Sequence, residues 1–175
     1  MKDFQLACPV PAAIDSVVTM AHGAGGRQTH ALIDGIFRKA FSDPALDLGH
    51  DAAALPPSPE PLAFTTDSFV VSPIFFPGGD IGSLAVYGTV NDLAMCAAEP
   101  LYLSCAFILE EGLPLETLGR VAASMGRAAR EIGARIVTGD TKVVERGKAD
   151  GLYVNTSGMG RIKISPAPAA ALGRP

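Results

Sequence analysis

Apolar residues recur at three- and four-residue steps in some stretches of the chain and at two-residue steps in others, so the sequence mixes helices with strands. Leu32, Ile33, Ile36, Phe37 and Phe41 predict an amphipathic helix over Thr29 to Phe41. Leu115, Leu118, Val121, Ala122, Met125, Ala129 and Ile132 form the clearest helical stripe. It ends at Gly133, where a left-handed cap is expected, and Met125 within it reads as core. Ile81 to Ala98 predicts a third helix built of small residues, with Ala85, Gly88, Asp92 and Cys96 on one face and Asn91 adjacent.

Strands are expected elsewhere. Leu101, Leu103, Cys105, Phe107 and Leu109 alternate with Tyr102 and Ser104, but Ala106 and Ile108 leave neither face polar, which predicts a strand covered on both sides. Pro56, Pro57, Pro59 and Pro61 separate two short strands, Ala52 to Leu55 and Leu62 to Thr66. Phe69 to Phe76 reads as extended and interrupted by Pro73, and Ala134 to Thr138, Lys142 to Glu145 and Leu152 to Gly160 read as further strands. The order lacks regular βαβ alternation. An α+β domain, a mixed sheet flanked by helices, fits it better than a Rossmann sheet. Residues 1–16, with two prolines, read as a flexible arm, residues 17–164 as one domain, and residues 165–175 as linker toward a further domain.

Composition narrows the function. The 175 residues are 48% hydrophobic and 18% charged, enough for one sizeable core. A net charge of -4 without a Lys/Arg run argues against nucleic acid or an anionic membrane as partner and favours a small-molecule substrate. The absence of a spanning apolar run and of a signal-peptide pattern gives a cytoplasmic reading. Cys8, Cys96 and Cys105 form no CxxC pair, so neither a disulfide frame nor a zinc site is expected. Cys96 and Cys105 read as buried inert thiols, and Cys8 belongs to the arm.

The candidate chemistry lies in glycine-rich and acidic segments. Ala21-His22-Gly23-Ala24-Gly25-Gly26-Arg27 places free amides before a helix, where an anion is attracted, yet it is neither a Walker A loop nor GxGxxG. A phosphate clamp and a plain turn are both open readings. Asp51, Asp67, Asp92 and Asp140 each stand near the end of an apolar element. Taken singly they are turn or cap aspartates. Taken with Asn91 and Lys142 they suggest hard oxygen ligands for Mg2+ bridged to phosphate. Lys142, in Gly139-Asp140-Thr141-Lys142, is a point charge for a phosphate, a base, or a solvated strand lysine. His22 and His50 border these loops, while His30 reads as surface. Glu110-Glu111 reads as a solvated strand end, and no hydrolytic triad stands out.

Six segments carry a resemblance: residues 21–26, Thr66-Asp67-Ser68-Phe69-Val70-Val71, Phe75-Phe76-Pro77-Gly78-Gly79-Asp80-Ile81-Gly82, Gly88-Thr89-Val90-Asn91-Asp92, residues 107–114, and Thr138-Gly139-Asp140-Thr141-Lys142-Val143-Val144. By these the chain resembles the HypE hydrogenase maturation factors, a branch of the aminoimidazole ribonucleotide synthetase and selenophosphate synthetase family. The resemblance implies the N-terminal domain of that PurM-like fold, whose strands complete a β-barrel across a homodimer. It implies ATP and Mg2+, and an ATP-dependent carbamoyl dehydratase that converts a thiocarboxamide on a C-terminal cysteine into a thiocyanate, the cyanide source for [NiFe]-hydrogenase.

By position it implies Lys142 as the catalytic residue. His22, Gly23, Gly25, Gly26, Asp67, Asn91, Asp140 and Thr141 would be nucleotide contacts, and Asp51, Asp67 and Asp92 metal ligands. The implied partners are a second copy, the carbamoyltransferase HypF and the HypC-HypD complex. Two departures stand out: His50 precedes Asp51 where the wider family carries a pair of acids, and the second domain with its carrier cysteine is missing, so this chain alone is expected to be inactive. Two other readings stay open: an ATP-dependent synthetase or kinase of the same fold, and a dimerisation or docking module without catalysis.

Overall fold

The computed structural model describes residues 16–163. The expected arm, with Cys8, and the expected linker lie outside those residues apart from Ser16. A 3-10 turn at Met20–Gly23 leads into α1 (Arg27–Leu32), a π turn (Ile33–Phe37), α2 (Arg38–Phe41) and α3 (Pro44–Asp47). Then come β1 (Leu62–Phe69), the short β2 (Phe75–Phe76) and β3 (Gly79–Asp80), α4 (Ile81–Met95), β4 (Ala98–Glu110), α5 (Leu115–Glu131), β5 (Arg135–Val144) and β6 (Leu152–Ile162).

Four strands form one mixed sheet in the order β1-β6-β4-β5, with β4 and β5 parallel and both pairings of β6 antiparallel. The edges are therefore β1 and β5. Helices α4 and α5 cover one face, and the core between them and the sheet holds Ile81, Val86, Leu103, Phe107, Leu109, Leu118, Val121, Met125, Leu152 and Val154. Glycine lets α4 approach: a Cβ on Gly82 would stand 2.5 Å from the Val121 carbonyl oxygen of α5. Asp80 caps α4 by accepting from the Gly82 and Ser83 N–H groups. Among the described residues no helix is long and apolar enough to cross a membrane.

Several expectations are corrected. Ala52 to Leu55 is irregular and mostly exposed, because the prolines behind it lack N–H donors and no strand lies beside it. Ala134 to Thr138 and Lys142 to Glu145 are not two strands but parts of β5, whose register shift opposite Leu103/Ser104 absorbs one residue. Gly139 does not turn the chain. It lies flat against β4, where a Cβ would come within 2.1 Å of the Cys105 carbonyl oxygen. The stretch from Phe69 to Phe76 breaks after Phe69 into the small β2–β3 hairpin.

Helix α4 stops at Met95, so Cys96 is its exposed C-cap and not a buried thiol; Cys105 is buried as expected. Helices cover β4 and β6 on one side only. Residues 51–55 lie over part of the other face, beside Tyr102, Ser104, Ser157 and Met159, while Phe64 stays 69% and Ile108 43% exposed. Along β6, Val154, Thr156 and Gly158 face the core, while Tyr153, Asn155, Ser157 and Met159 alternate with them. Glu110 is not a solvated strand end, since its carboxylate accepts from the Gly147 and Gly151 N–H groups and holds the β5–β6 loop.

Candidate nucleotide site

The expected site residues fall into two groups, one at each edge of the sheet. At the β5 edge a cleft of about 730 Å³ opens between α1, the π turn and α2 on one side and β5 on the other. Its polar rim includes Gly23, Gly25, His50, Asp51, Asp140, Thr141 and Lys142. Its floor is apolar: Phe37 stacks on Phe107 at 4.9 Å between centroids and on Phe41 at 6.0 Å. This pairing of an apolar floor with a few convergent polar groups is what a small-molecule site requires. The floor was not anticipated as part of a site, because Phe37 and Phe107 look like core when read from periodicity alone.

Lys142 donates from Nζ to Asp140 Oδ1 at 2.9 Å, and both side chains are more than half exposed. The Lys142 ammonium, ahead of the Thr141 N–H, holds the Asp140 carboxyl below the usual range against a smaller effect of burial. The lysine is thus offered as a positive charge oriented by a carboxylate. Thr141 is buried beside them.

The glycine loop is shaped as much by packing as by a ligand. Gly23 presses on β5, where a Cβ would come within 2.7 Å of Val143 N. Gly25, at φ +77°, donates its N–H to Thr29 Oγ1 at 2.9 Å, which ties the loop to the first turn of α1. Gly26 is the N-cap of α1 and is exposed. His22 is buried and accepts the Thr19 N–H at Nδ1; it caps the 3-10 turn and is not part of the cleft lining. His30, expected at the surface, is exposed and does border the cleft.

The second group stands at the β1 edge. Asp67 and Thr65 project from β1 toward α4: Thr65 Oγ1 donates to Asp92 Oδ2 at 3.2 Å, and Asp67 Oδ2 would lie 3.9 Å from a Cβ on Gly88. Asp67 Oδ1 accepts the Ser68 N–H at 2.7 Å. Asn91 and Asp92 are exposed on α4. Behind them Asn155 of β6 donates to the Asp67 carbonyl oxygen at 2.9 Å and to Ser68 Oγ at 3.0 Å, fixing the strand that carries Asp67. Asn155 was not singled out because it stands inside an expected strand, apart from the glycine-rich and acidic segments.

The structure therefore places Asp67 and Asp92 at the same β1–α4 edge, Asp92 beside Thr65 and Asp67 beside Gly88, but leaves Asp51 with the β5 cleft. Among the described residues no group of three or more His, Cys, Asp or Glu is assembled to hold a metal. Mg2+ uses one or two carboxylates and completes its shell with water and phosphate oxygens. Asp67 and Asp92, exposed oxygen donors on facing elements, fit that requirement. Asp51 does not join them within one chain.

A four-stranded mixed sheet with helices on one face, and glycine-rich and acidic segments at its edges, defines an α+β domain, and the family comparison makes it specific. The model of the AIR synthase related protein, N-terminal domain, matches residues 49–162, and the chain belongs to that family.

Within the family, the chain is 57% identical over 143 residues to the carbamoyl dehydratase HypE of Rhizobium leguminosarum bv. viciae, an alignment that takes in 82% of this chain and 41% of that protein. A HypE crystal structure in complex with ATP superposes with a TM-score of 0.84 at 56% identity, over 89% of this chain and 46% of that one. HypE in a HypE-HypF complex superposes with a TM-score of 0.59 at 51% identity, over 77% and 43%. The chain thus spans about half the length of the relatives it matches.

Proposed function

We propose that this chain is the ATP-binding and dimerising half of a carbamoyl dehydratase that serves [NiFe]-hydrogenase maturation. In that reaction the oxygen of a cysteine-borne thiocarboxamide becomes a phosphate leaving group, and loss of that group with the remaining amide protons leaves a thiocyanate. The carrier cysteine would come from the part of the protein that this chain lacks. The observation that carries the reading is the convergence of the glycine loop, Asp51 and Asp140-Thr141-Lys142 on one apolar-floored cleft. It is supported by similarity to a HypE that was crystallised with ATP.

Each group has a task in this scheme. Lys142, held by Asp140, offers a positive charge to the oxygen that accepts the phosphoryl group. The floor of Phe37 and Phe107 excludes water from the activated species, whose hydrolysis would waste ATP. Asp67 and Asp92 would hold Mg2+, which when bound draws charge from the phosphate oxygens.

A second copy completes the design. The exposed sheet positions Phe64 and Ile108, and the edges β1 and β5, which pair with no further strand among the described residues, fit a barrel shared by two protomers. Pairing the β1 edge of one copy with the β5 edge of another would bring Asp67 and Asp92 to the cleft that holds Asp140 and Lys142. HypF and the HypC-HypD complex are the proposed partners in a cytoplasmic setting.

The test is a calorimetric titration of the 175-residue chain with ATP, in Mg2+ and again in EDTA, beside sedimentation to count protomers. We expect a dimer whose ATP affinity depends on Mg2+ and falls at least about tenfold in Asp92→Ala. The absence of ATP binding would refute the nucleotide site and leave the docking-module reading, whereas ATP binding indifferent to Mg2+ and to Asp92→Ala would refute the magnesium reading alone.

A further inference from the structure

Helix α4 carries Asn91 and Asp92; its Asp80 cap, the close approach of Gly82 and the bond from the Tyr87 hydroxyl to Glu131 tie it to its N-terminal turn and to α5 rather than to the sheet. It is made mostly of small and apolar residues, and apolar burial is non-directional. One polar contact in its buried face is directional. Thr89 of α4 and Thr156 of β6 are both fully buried, and their hydroxyls are hydrogen-bonded to each other. The Thr156 hydroxyl also reaches the Ala85 carbonyl oxygen at 3.3 Å. A hydroxyl has one proton, so Thr156 donates to Ala85 and accepts from Thr89.

The turn of α4 from Ala85 to Thr89 is therefore pinned to one residue of β6. Gly158 makes room for the contact, since a Cβ there would stand 2.7 Å from Thr89 Cγ2. The pin lies between the two carboxylates of the β1 edge. Thr156 is the register partner of Asp67, and Thr89 precedes Asp92 by three residues on the same helix. A slip of α4 would carry Asp92 away from Thr65 and Asp67 while leaving the apolar core largely filled.

We propose that Thr89 and Thr156 are positioning residues, which set the height of α4 on the sheet and so keep Asp92 beside Thr65, at the edge that also carries Asp67, for a divalent cation shared by the two carboxylates. The inference rests on the magnesium reading above, and its test separates the two.

The 175-residue chain is titrated calorimetrically with ATP in Mg2+ and in EDTA, with a thermal midpoint recorded for each protein: wild type, Asp92→Asn, Thr156→Val, Thr156→Ser, Thr89→Val and Thr89→Val/Thr156→Val. Valine keeps the volume, and the double variant leaves no hydroxyl without its partner. Thr89→Val keeps the bond to Ala85 should Thr156→Val fail to fold. The expected result is that the gain in affinity from Mg2+ shrinks about five- to tenfold in the valine variants, returns in Thr156→Ser, and that affinity in EDTA stays put. A lower midpoint with the full Mg2+ gain in the double variant and in Thr89→Val overturns the inference and leaves the pair a packing contact. A wild type without any Mg2+ gain overturns the magnesium reading and this inference with it. A gain lost in Asp92→Asn but kept in both of those valine variants overturns the inference alone.

Discussion

Replacing Asp43 by alanine should loosen the wall of the cleft and lower stability by about 2–3 kcal/mol. The Asp43 carboxylate is 6% exposed and takes two bonds from Arg135, Nε to Oδ2 at 2.7 Å and Nη2 to Oδ1 at 2.8 Å. It also caps α3 by accepting the Ala45 N–H at 2.9 Å. The segment that follows carries Leu46, Gly49, His50 and Asp51, all of which line the cleft, so this one carboxylate ties that wall to β5.

The cap contributes about 1 kcal/mol. Breaking a fully buried ion pair costs about 3–5 kcal/mol, because the partner is left charged and dry. Here the partner left behind, Arg135, is 48% exposed and lies over Tyr102, with 5.6 Å from its Cζ to the ring centroid, so water and the ring compensate much of the loss. About 1–2 kcal/mol remains for the pair, between the surface and buried limits.

Asp43→Asn keeps the cap and loses the charge, so it should fall between wild type and Asp43→Ala. At roughly 2–4 °C per kcal/mol for a domain of this size, Asp43→Ala should melt about 5–10 °C below wild type by calorimetry. The pH dependence supplies a second reading. The bond from Arg135, which outweighs burial, holds the Asp43 carboxyl below its usual value. A lowered folded value means that the stabilisation is present above the ordinary aspartate pKa of about 4 and is lost as pH falls through the folded value. The gap between wild type and Asp43→Asn should be flat near neutrality and close in acid. A loss under about 0.5 kcal/mol, or identical behaviour of Asn and Ala, would refute the assignment of both roles to this side chain.

Two further outcomes follow from close contacts. Gly82→Ala puts a methyl 2.5 Å from the Val121 carbonyl oxygen and 2.8 Å from Met125 Cγ, which should cost about 1–3 kcal/mol in chemical denaturation. Gly119→Ala, in α5 with nothing within 4 Å, should instead be neutral or stabilising by up to about 1 kcal/mol, and equal effects at the two sites would refute the packing of α4 on α5. Iodoacetamide on the native chain, mapped by mass spectrometry, should modify Cys96 and spare Cys105, whose thiol is buried against Met125 and pushed up in pKa by that burial. Equal labelling of the two would show that the β4 face is not closed.

The helices were legible because their signal is local. Leu118, Val121, Ala122, Met125 and Ala129 repeat at helical steps, and that stripe is buried in α5 as its period requires. Two of the segments singled out as motifs, the glycine loop and Asp140-Thr141-Lys142, meet at one cleft. Cys96 misled because membership of an apolar stretch does not say where a helix ends. Gly139 misled because glycine marks turns and close backbone approaches alike, and only the position of Cys105 across the sheet tells which it is. The two-sided reading of β4 came from an apolar residue at a position on the helix-free face, Ile108. Such a residue announces burial without naming what buries it.

What no local pattern carries is the order of the strands, and that order decides the site. Strands β4 and β5 are parallel, so the chain crosses through α5 and sets β5 outside β4, and β6 then inserts between β4 and β1. Two motifs that read as one constellation along the chain end up three strand spacings apart, about 14 Å across the sheet at roughly 4.8 Å each. Asp67 and Asp92 cannot share one cation with Asp140 or Asp51 over such a span, whatever rotamers they adopt. A ligand long enough to reach from carboxylate to lysine, such as a triphosphate, or a second copy that brings its β5 edge to this β1 edge, closes the distance. The unpaired edges and the exposed face between them make the second copy the economical solution, because one association would cover the apolar face, satisfy both edges and assemble the site.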